Sequence, residues 1–544
     1  MHDTTQTWTS TSTRRGFLRL VGAIGAAATI AGSVTACGGD NPNKRTGGSA
    51  GGAPGAAKDD GTITAGISYE LGTNGYDPLT TTAALTIAAN WHTMEGLTEI
   101  MPTPDRKVYA ALAKAMPTKI DEKTYEVELR DGAKFHDGSG VTVDDVVFSF
   151  ERVLDPKNAS LYATFVPFID SVSKKDETTV TIALKYPFSL VNERLAVVKI
   201  VPKKAVEADP KAFDAKPVGT GPYAMTDNGA ASKTITFERF DGYTGKHPAL
   251  AQAMEWKILP DSSTRTNALQ SKAVQAIDSV PYLSIDQVKQ NASEESVQGF
   301  GLLFAMFNCG SAPFDDVRNR QAVLYAIDMD QVIKTALLGN AAPATCFVTP
   351  DNPAYKKAST VYSLDQKKAK ALLAETGLTS MRMLVTDHDW VTKVTPIVKQ
   401  NLEAAGLAVD FVQKQSSDVY TTIDGDKSAF DLVLAPGDPS VFGNDADLLM
   451  RWWYSSDVWA DQRMHWKGQK SYKKLQQLLD RAATETGDTQ TTTWGEAFDL
   501  LSDEVPLYPL FHRKNPSGWD ATSLVDFVPI SLTGLSFLDV ASTK

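Results

Sequence analysis

Three cysteines, seven histidines and a run of acidic residues around Asp438 are the side chains from which this 544-residue chain could build chemistry. Their spacing excludes most enzymatic options. No HExxH, CxxC or kinase-like set is present, and the G-x-S-x-G match Gly47-Gly48-Ser49-Ala50-Gly51 falls in a glycine-rich run instead of between a strand and a helix, so hydrolysis by an activated nucleophile or a bound metal has no constellation to rest on. An exported hydrolase stands as an outside reading that rests only on scattered carboxylates. His136 in Phe135-His136-Asp137-Gly138 has no HxxxH, cysteine or carboxylate arrangement typical of a ligand set and reads as turn scaffold. The glycine-rich loop Pro217–Tyr223 matches no phosphate-binding pattern, and Pro222 withholds an N–H that a phosphate cradle would use. No metal and no cofactor are expected. What remains is non-covalent recognition. The stretch DLVLAPGDPSVFGNDADLLMRWWYSS offers Asp438, Asp445 and Asp447, and Lys393 and Arg382 lie upstream of it. Trp452, Trp453, Trp459 and Trp466 supply either stacking faces for a ligand or packing for a core or interface.

The totals bound the setting. At 544 residues and 42% hydrophobic content the chain has material for two or three domains. Without residues 1–36, which hold Arg14, Arg15 and Arg19 against Asp3, 51 basic residues face 64 acidic ones, which argues against nucleic acid. Thr13-Arg14-Arg15-Gly16-Phe17-Leu18 resembles a twin-arginine export signal, and Leu20 to Ile30 is a weakly apolar stretch rich in Ala and Gly. Val34-Thr35-Ala36-Cys37 resembles a lipobox, with cleavage near Ala36 and an incidental Cys37 as the plainer alternative. Diacylated Cys37 would carry the two chains that stable anchoring requires. Gly38 to Asp60 then reads as a flexible tether of about 25–30 Å mean reach. With Cys37 so used, Cys309 and Cys346 are an even pair that an oxidising exterior favours as a disulfide, two buried free thiols being the other reading.

The elements that must position these residues show in the hydrophobic pattern. Thr62–Ile67 reads as a strand, residues 83–94 as a helix, and Tyr125, Val127 and Leu129 alternate with Thr124, Glu126 and Glu128 as in a half-buried strand. Thr142 with Asp145 is a capping box ahead of a helix whose apolar face holds Val143, Val146, Val147, Phe150 and Leu154. Phe304 to Phe307 ends at the break Gly310–Pro313, and Asp315 or Asp316 caps a helix that buries Val323, Leu324, Ala326 and Ile327. Beyond it helices at 365–376 and 394–405 alternate with strands at 407–412 and 429–434, which indicates an α/β lobe. A helix at 494–501 and the strand Val505–Phe511 follow.

Five motifs along residues 62–511 resemble, in order, those of the family 5 extracellular solute-binding proteins, the peptide receptors of ABC importers. They are the EGLTE opening, LRDGAKFHDGSGVTVDDVVFS, PVGTGPY, FN…PFDD…R.A…ID and EVPLYPLF. Gly140 stands where Pro is usual, Val143 where Ala is usual, Pro436 where Trp is common, and Ala446 interrupts a D-P-D.

The resemblance implies an α/β, two-lobed periplasmic-binding-protein-like fold of the large peptide-receptor type, with hinged lobes and an extra subdomain in the first lobe. The expected organisation is signal peptide 1–36, tether 37–61, lobe I 62–305 with an inserted subdomain at about 97–214, lobe II 306–504 and a return to lobe I over 505–544. Hinges are expected at about Phe304–Pro313 and Val505–Phe511. In peptide-binding members an aspartate just after a second-lobe strand accepts the ligand's α-ammonium. Asp438 stands there, with Asp445 and Asp447 as alternatives and a surface Asx-turn as the plainer role, and Lys393 is the candidate for the peptide's carboxylate. The implied function is a monomeric, exported, lipid-anchored receptor at the outer face of the cell membrane, periplasmic where an outer membrane exists. It delivers di- or oligopeptides to an ABC permease and its ATPase without catalysis. An oligosaccharide, opine or metal chelate is the alternative cargo, nickel being disfavoured by the lack of a histidine cluster, and a sensor or adhesion role the alternative use.

Overall fold

Two long antiparallel strands, Ser293–Phe307 and Leu507–Trp519, form the spine of the molecule. The computed structural model describes residues 55–71 and 75–544. The export signal, Cys37 and most of the tether therefore lie outside the described residues. Gly299 to Phe307 are buried without interruption, the pattern of a strand covered on both faces, whereas Ser293–Gln298 is polar and half-covered.

The spine joins two halves of an eleven-stranded mixed sheet. On one side of the pair lie, in order outward, Leu432–Gly437, Ser380–Thr386 and Ala408–Lys414, the last two pairs parallel. On the other lie Ala276–Ile277, Thr62–Ile67, Ala253–Ile258, Thr234–Arg239 and Tyr223–Asn228. Helices pack on each half, giving two lobes. A separate four-stranded antiparallel sheet of Thr118–Asp121, Thr124–Glu128, Thr179–Leu184 and Ile169–Lys174 forms the extra subdomain of the first lobe.

The spine's ladder breaks where it passes between lobes. Gln298 pairs with Lys514 and Leu302 with His512, so Gly299, Phe300 and Gly301 bulge from the crossing strand. Gly299 has no room for a side chain, since a Cβ there would stand 2.1 Å from the Ser531 carbonyl oxygen. A smaller shift follows between Leu303 and Phe304, opposite Phe511 and Pro509. Only this second irregularity touches the spans expected to bend; the larger one lies nearer residue 300.

Local signals work as the sequence indicates. Thr142 and Asp145 close a capping box on the helix Val143–Leu154, and Asp316 caps Val317–Ala326 through the Arg318 N–H. His136 is indeed scaffold: its Nδ1 accepts from the Gly219 N–H at 3.2 Å and its Nε2 donates to the Gly221 carbonyl at 3.0 Å, pinning the Pro217–Tyr223 loop. Burial pushes its pKa down to about 4, so it stays neutral. The expected disulfide is not formed. Cys309 and Cys346 are free, buried thiols, each with its sulfur against a nearby main-chain carbonyl, Phe307 and Val348 respectively, and burial pushes both up to about 11. Among the described residues no helix is long and apolar enough to cross a membrane.

Candidate functional site

The site lies where strand ends and the spine meet between the lobes, the usual place for a ligand in a sheet of this kind. The second-lobe strand Leu432–Gly437 runs out into Asp438, and the neighbouring Ser380–Thr386 strand into His388 and Trp390, at the head of the helix Asp389–Ala404. From the first lobe, Thr62–Ile67 ends at Ser68 and Tyr69, the loop after Thr98–Ile100 brings Arg106, and the closing segment brings Thr533. The spine contributes Gly301 and Arg513.

Asp438 spans the seam. Its Oδ2 accepts from the Thr533 N–H and hydroxyl, both at 3.0 Å, and its Oδ1 accepts from the Ser440 hydroxyl. Arg106 lies nearby, donating from Nη2 to the Ser440 carbonyl at 2.6 Å. Burial lowers the Arg106 pKa to about 10, against the pull of Asp438 and Asp105, so it remains a cation. Arg513 is also near: a Cβ on Gly301 would sit 3.5 Å from Asp438 Oδ2 and 3.9 Å from Arg513 Cγ. The Asp438 carboxylate thus lies within electrostatic reach of two guanidiniums, and among the described residues neither contacts it at ion-pair distance.

Asp445 and Asp447 have other work. Asp445 caps the helix Ala446–Tyr454 through the Leu448 N–H at 2.9 Å and holds Arg194 from the first lobe at 2.5 Å. Asp447 pairs with Arg194 at 2.7 Å and with Arg451 at 2.8 Å. Its arginine partners hold the Asp447 carboxyl below its usual range although burial opposes them. Lys393 sits exposed one turn into the helix that begins at Asp389, and Arg382 is committed to Asp431 at 2.6 Å. Structure thus places both Asp438 and Asp445 where the lobes meet, Asp445 already consumed by an ion cluster, and leaves Lys393 facing solvent. The tryptophans are packing. Trp453, Trp459 and Trp466 are buried, and Trp452 stacks on Phe165 of the first lobe at 5.8 Å and 18°.

A cavity of about 50 Å³ opens at the seam, lined by Trp91, Asn90, Arg106, Tyr162, Lys199 and Phe442 among others. It is room for one or two waters. Two polar atoms beside it, Asn90 Oδ1 and Arg106 Nε, have no hydrogen-bond partner. Sequence reasoning missed Arg106, Thr533, Tyr69 and Arg513. Only Arg513 gave a signal: a cation two positions after the apolar run Val505–Phe511.

Comparison with known proteins bears on this arrangement. Residues 107–474 match the family model described as bacterial extracellular solute-binding proteins, family 5 Middle. The glutathione-binding protein GsiB of Salmonella paratyphi A is 27% identical over 447 residues, covering 80% of this chain and 86% of that protein. The oligopeptide-binding protein AppA of Bacillus subtilis, solved with a nonapeptide, superposes with a TM-score of 0.79 at 20% identity, covering 90% of this chain and all of AppA. AgaA from A. tumefaciens R10, solved with agropinic acid, superposes at 0.78 with 24% identity, covering 89% of this chain and 99% of that one.

Proposed function

Because the chain belongs to the family 5 bacterial extracellular solute-binding proteins, the substrate-binding receptors of ABC importers, we propose that its cargo is a short peptide held between the lobes, with Asp438 taking the α-ammonium group. The observation that carries this reading is the position of Asp438. It is a half-buried carboxylate at the lobe seam, oriented by donors from the opposite lobe and not neutralised by a contacting cation. A charge pair made there is screened from water and can set end-group specificity. The lobes already share bonds such as Gln490 Nε2 to Ser189 Oγ at 3.1 Å. The ligand need only bind the closed form better than the open one, and the closed surface is what a permease reads. Twin-arginine export, lipidation at Cys37, a monomeric state and delivery to a permease and its ATPase complete the proposal. Incorporation of labelled palmitate, lost in Cys37→Ala, tests the anchor.

The deciding experiment is mass spectrometry of the small molecules released when the purified full chain is denatured. Short peptides released from the wild type and absent from Asp438→Asn support the reading, while release of sugars or metal chelates defeats it. A small non-peptide acid is the second reading. It is favoured by the two arginines near Asp438 and by the acid-bound relative AgaA.

A further inference from the structure

Five arginines are buried among the described residues: Arg194, Arg265, Arg320, Arg451 and Arg513. Four of them have a carboxylate in reach. Arg194 meets Asp445 at 2.5 Å, Arg451 meets Asp447 at 2.8 Å, Arg320 meets Glu504 at 3.6 Å and Arg265 meets Asp278 at 3.9 Å. Arg265 and Arg320 add several main-chain carbonyls.

Arg513 differs. It is 4% exposed, yet no carboxylate of the described residues lies within 4 Å of it. Its direct contacts are neutral: the Tyr69 hydroxyl accepts from Nη2 at 3.3 Å, the Tyr282 hydroxyl is adjacent, and the Trp390 ring lies 5.0 Å from the guanidinium carbon, while the carboxylates of Asp438 and Asp278 act on it only from beyond contact. His388, near Tyr69 at a ring separation of 6.4 Å, is kept uncharged by burial and by Arg513 itself. A guanidinium has five donors in a planar fork that matches a carboxylate, and burying it without an anion is costly. The fork sits under a partly exposed cover formed by Tyr69 from one lobe and His388 and Trp390 from the other. That cover can part when the lobes do. Gly301, where a Cβ would stand 3.5 Å from Asp438 Oδ2 and 3.9 Å from Arg513 Cγ, puts no side chain of its own beside the two residues.

We propose that Arg513 is the anion-binding residue of the cleft and that the transported solute carries a free carboxylate, which Arg513 grips in the closed form. The proposal rests on reading the seam as the ligand cleft; it does not require the ligand to be a peptide. Tyr69 and Trp390 position the fork, one by a hydrogen bond and one by its ring face.

The test measures binding by the full chain to two probe pools: dipeptides with free C-termini beside the same dipeptides as C-terminal amides, and small organic acids beside their amides. Wild type should prefer free acid over amide by at least 100-fold in one pool. Arg513→Met, similar in volume and uncharged, should bind acid and amide alike, while Arg513→Lys keeps part of the preference. A preference confined to dipeptides supports both this residue's role and the peptide reading. A preference confined to organic acids, lost in Arg513→Met, supports the role and removes the peptide reading. If Arg513→Met melts like wild type and still discriminates acid from amide, or if wild type binds neither acid series, the role is overturned. Should Arg513→Met fold poorly, loss of the wild-type preference in Tyr69→Phe together with Trp390→Leu is the supporting result and its retention the overturning one.

Discussion

Two charged clusters bridge the lobes and they are built to opposite specifications. Arg194, Asp445, Asp447 and Arg451 form a closed set in which every charge has a contacting opposite, at 2.5 to 2.8 Å. Asp438, Arg106 and Arg513 form an open one, in which opposite charges face each other without touching. Desolvating charges is worthwhile only when they are fully paired. The first cluster meets that condition alone, so it serves structure. The second would meet it only with a charged guest, which is the basis of the binding role proposed for it.

The comparison can be broken most severely at the closed cluster. Arg194→Leu leaves Asp445 and Asp447 facing each other without their shared cation, and chemical denaturation should show a loss of about 3–5 kcal/mol, the typical cost of orphaning a buried charge. At the open cluster Asp438→Asn should cost about 100-fold in ligand affinity by calorimetry, or about 2.7 kcal/mol, with a far smaller change in melting temperature. Acid should act next. His92, His136, His388 and His512 are each pushed down to about 4 by burial. Their folded pKa values lie below the unfolded value near 6.5. The unfolded chain therefore takes up protons first, and stability should fall as pH drops from about 6.5 towards 4. His136→Gln should shallow that fall in urea titrations run at pH 7 and pH 5. The smallest effect sharpens the contrast from outside: Lys393→Ala, on an exposed face, should leave affinity within twofold in the same calorimetry.

Much of the fold was legible because it is written in local patterns. The capping box at Thr142, the cap at Asp316 and the helix after Asp365 each follow from residues three or four apart. The crossing strand was legible only in its last residues, since its first half, Ser293–Gln298, has the polarity of a loop and becomes a strand by pairing with residues more than 200 positions away. The helix Asp389–Ala404 began a turn earlier than its apolar rhythm suggested, with Trp390 near its head packing on the core edge at Phe511 and laying its ring by Arg513. At the site, a glycine-aspartate-proline turn announced Asp438. Nothing local could show that Asp445 would be claimed by Arg194, 251 positions away, or that Arg513 would lack an acid. Both facts depend on which lobe surfaces meet.

The main chain of Thr62 donates to the carbonyl of Lys544 at 2.8 Å, and Leu524 pairs with Ser542 in a short strand beside it. Residue 62 and residue 544 are therefore seated together on one lobe, and among the described residues the two strands of the spine lead to the other. A fluorophore pair placed on those two positions would be blind to opening, whereas one dye at Lys544 and one at the solvent-facing Lys393 would ride on different bodies. The solvent-facing Lys393 is thus the natural handle for watching the cleft move.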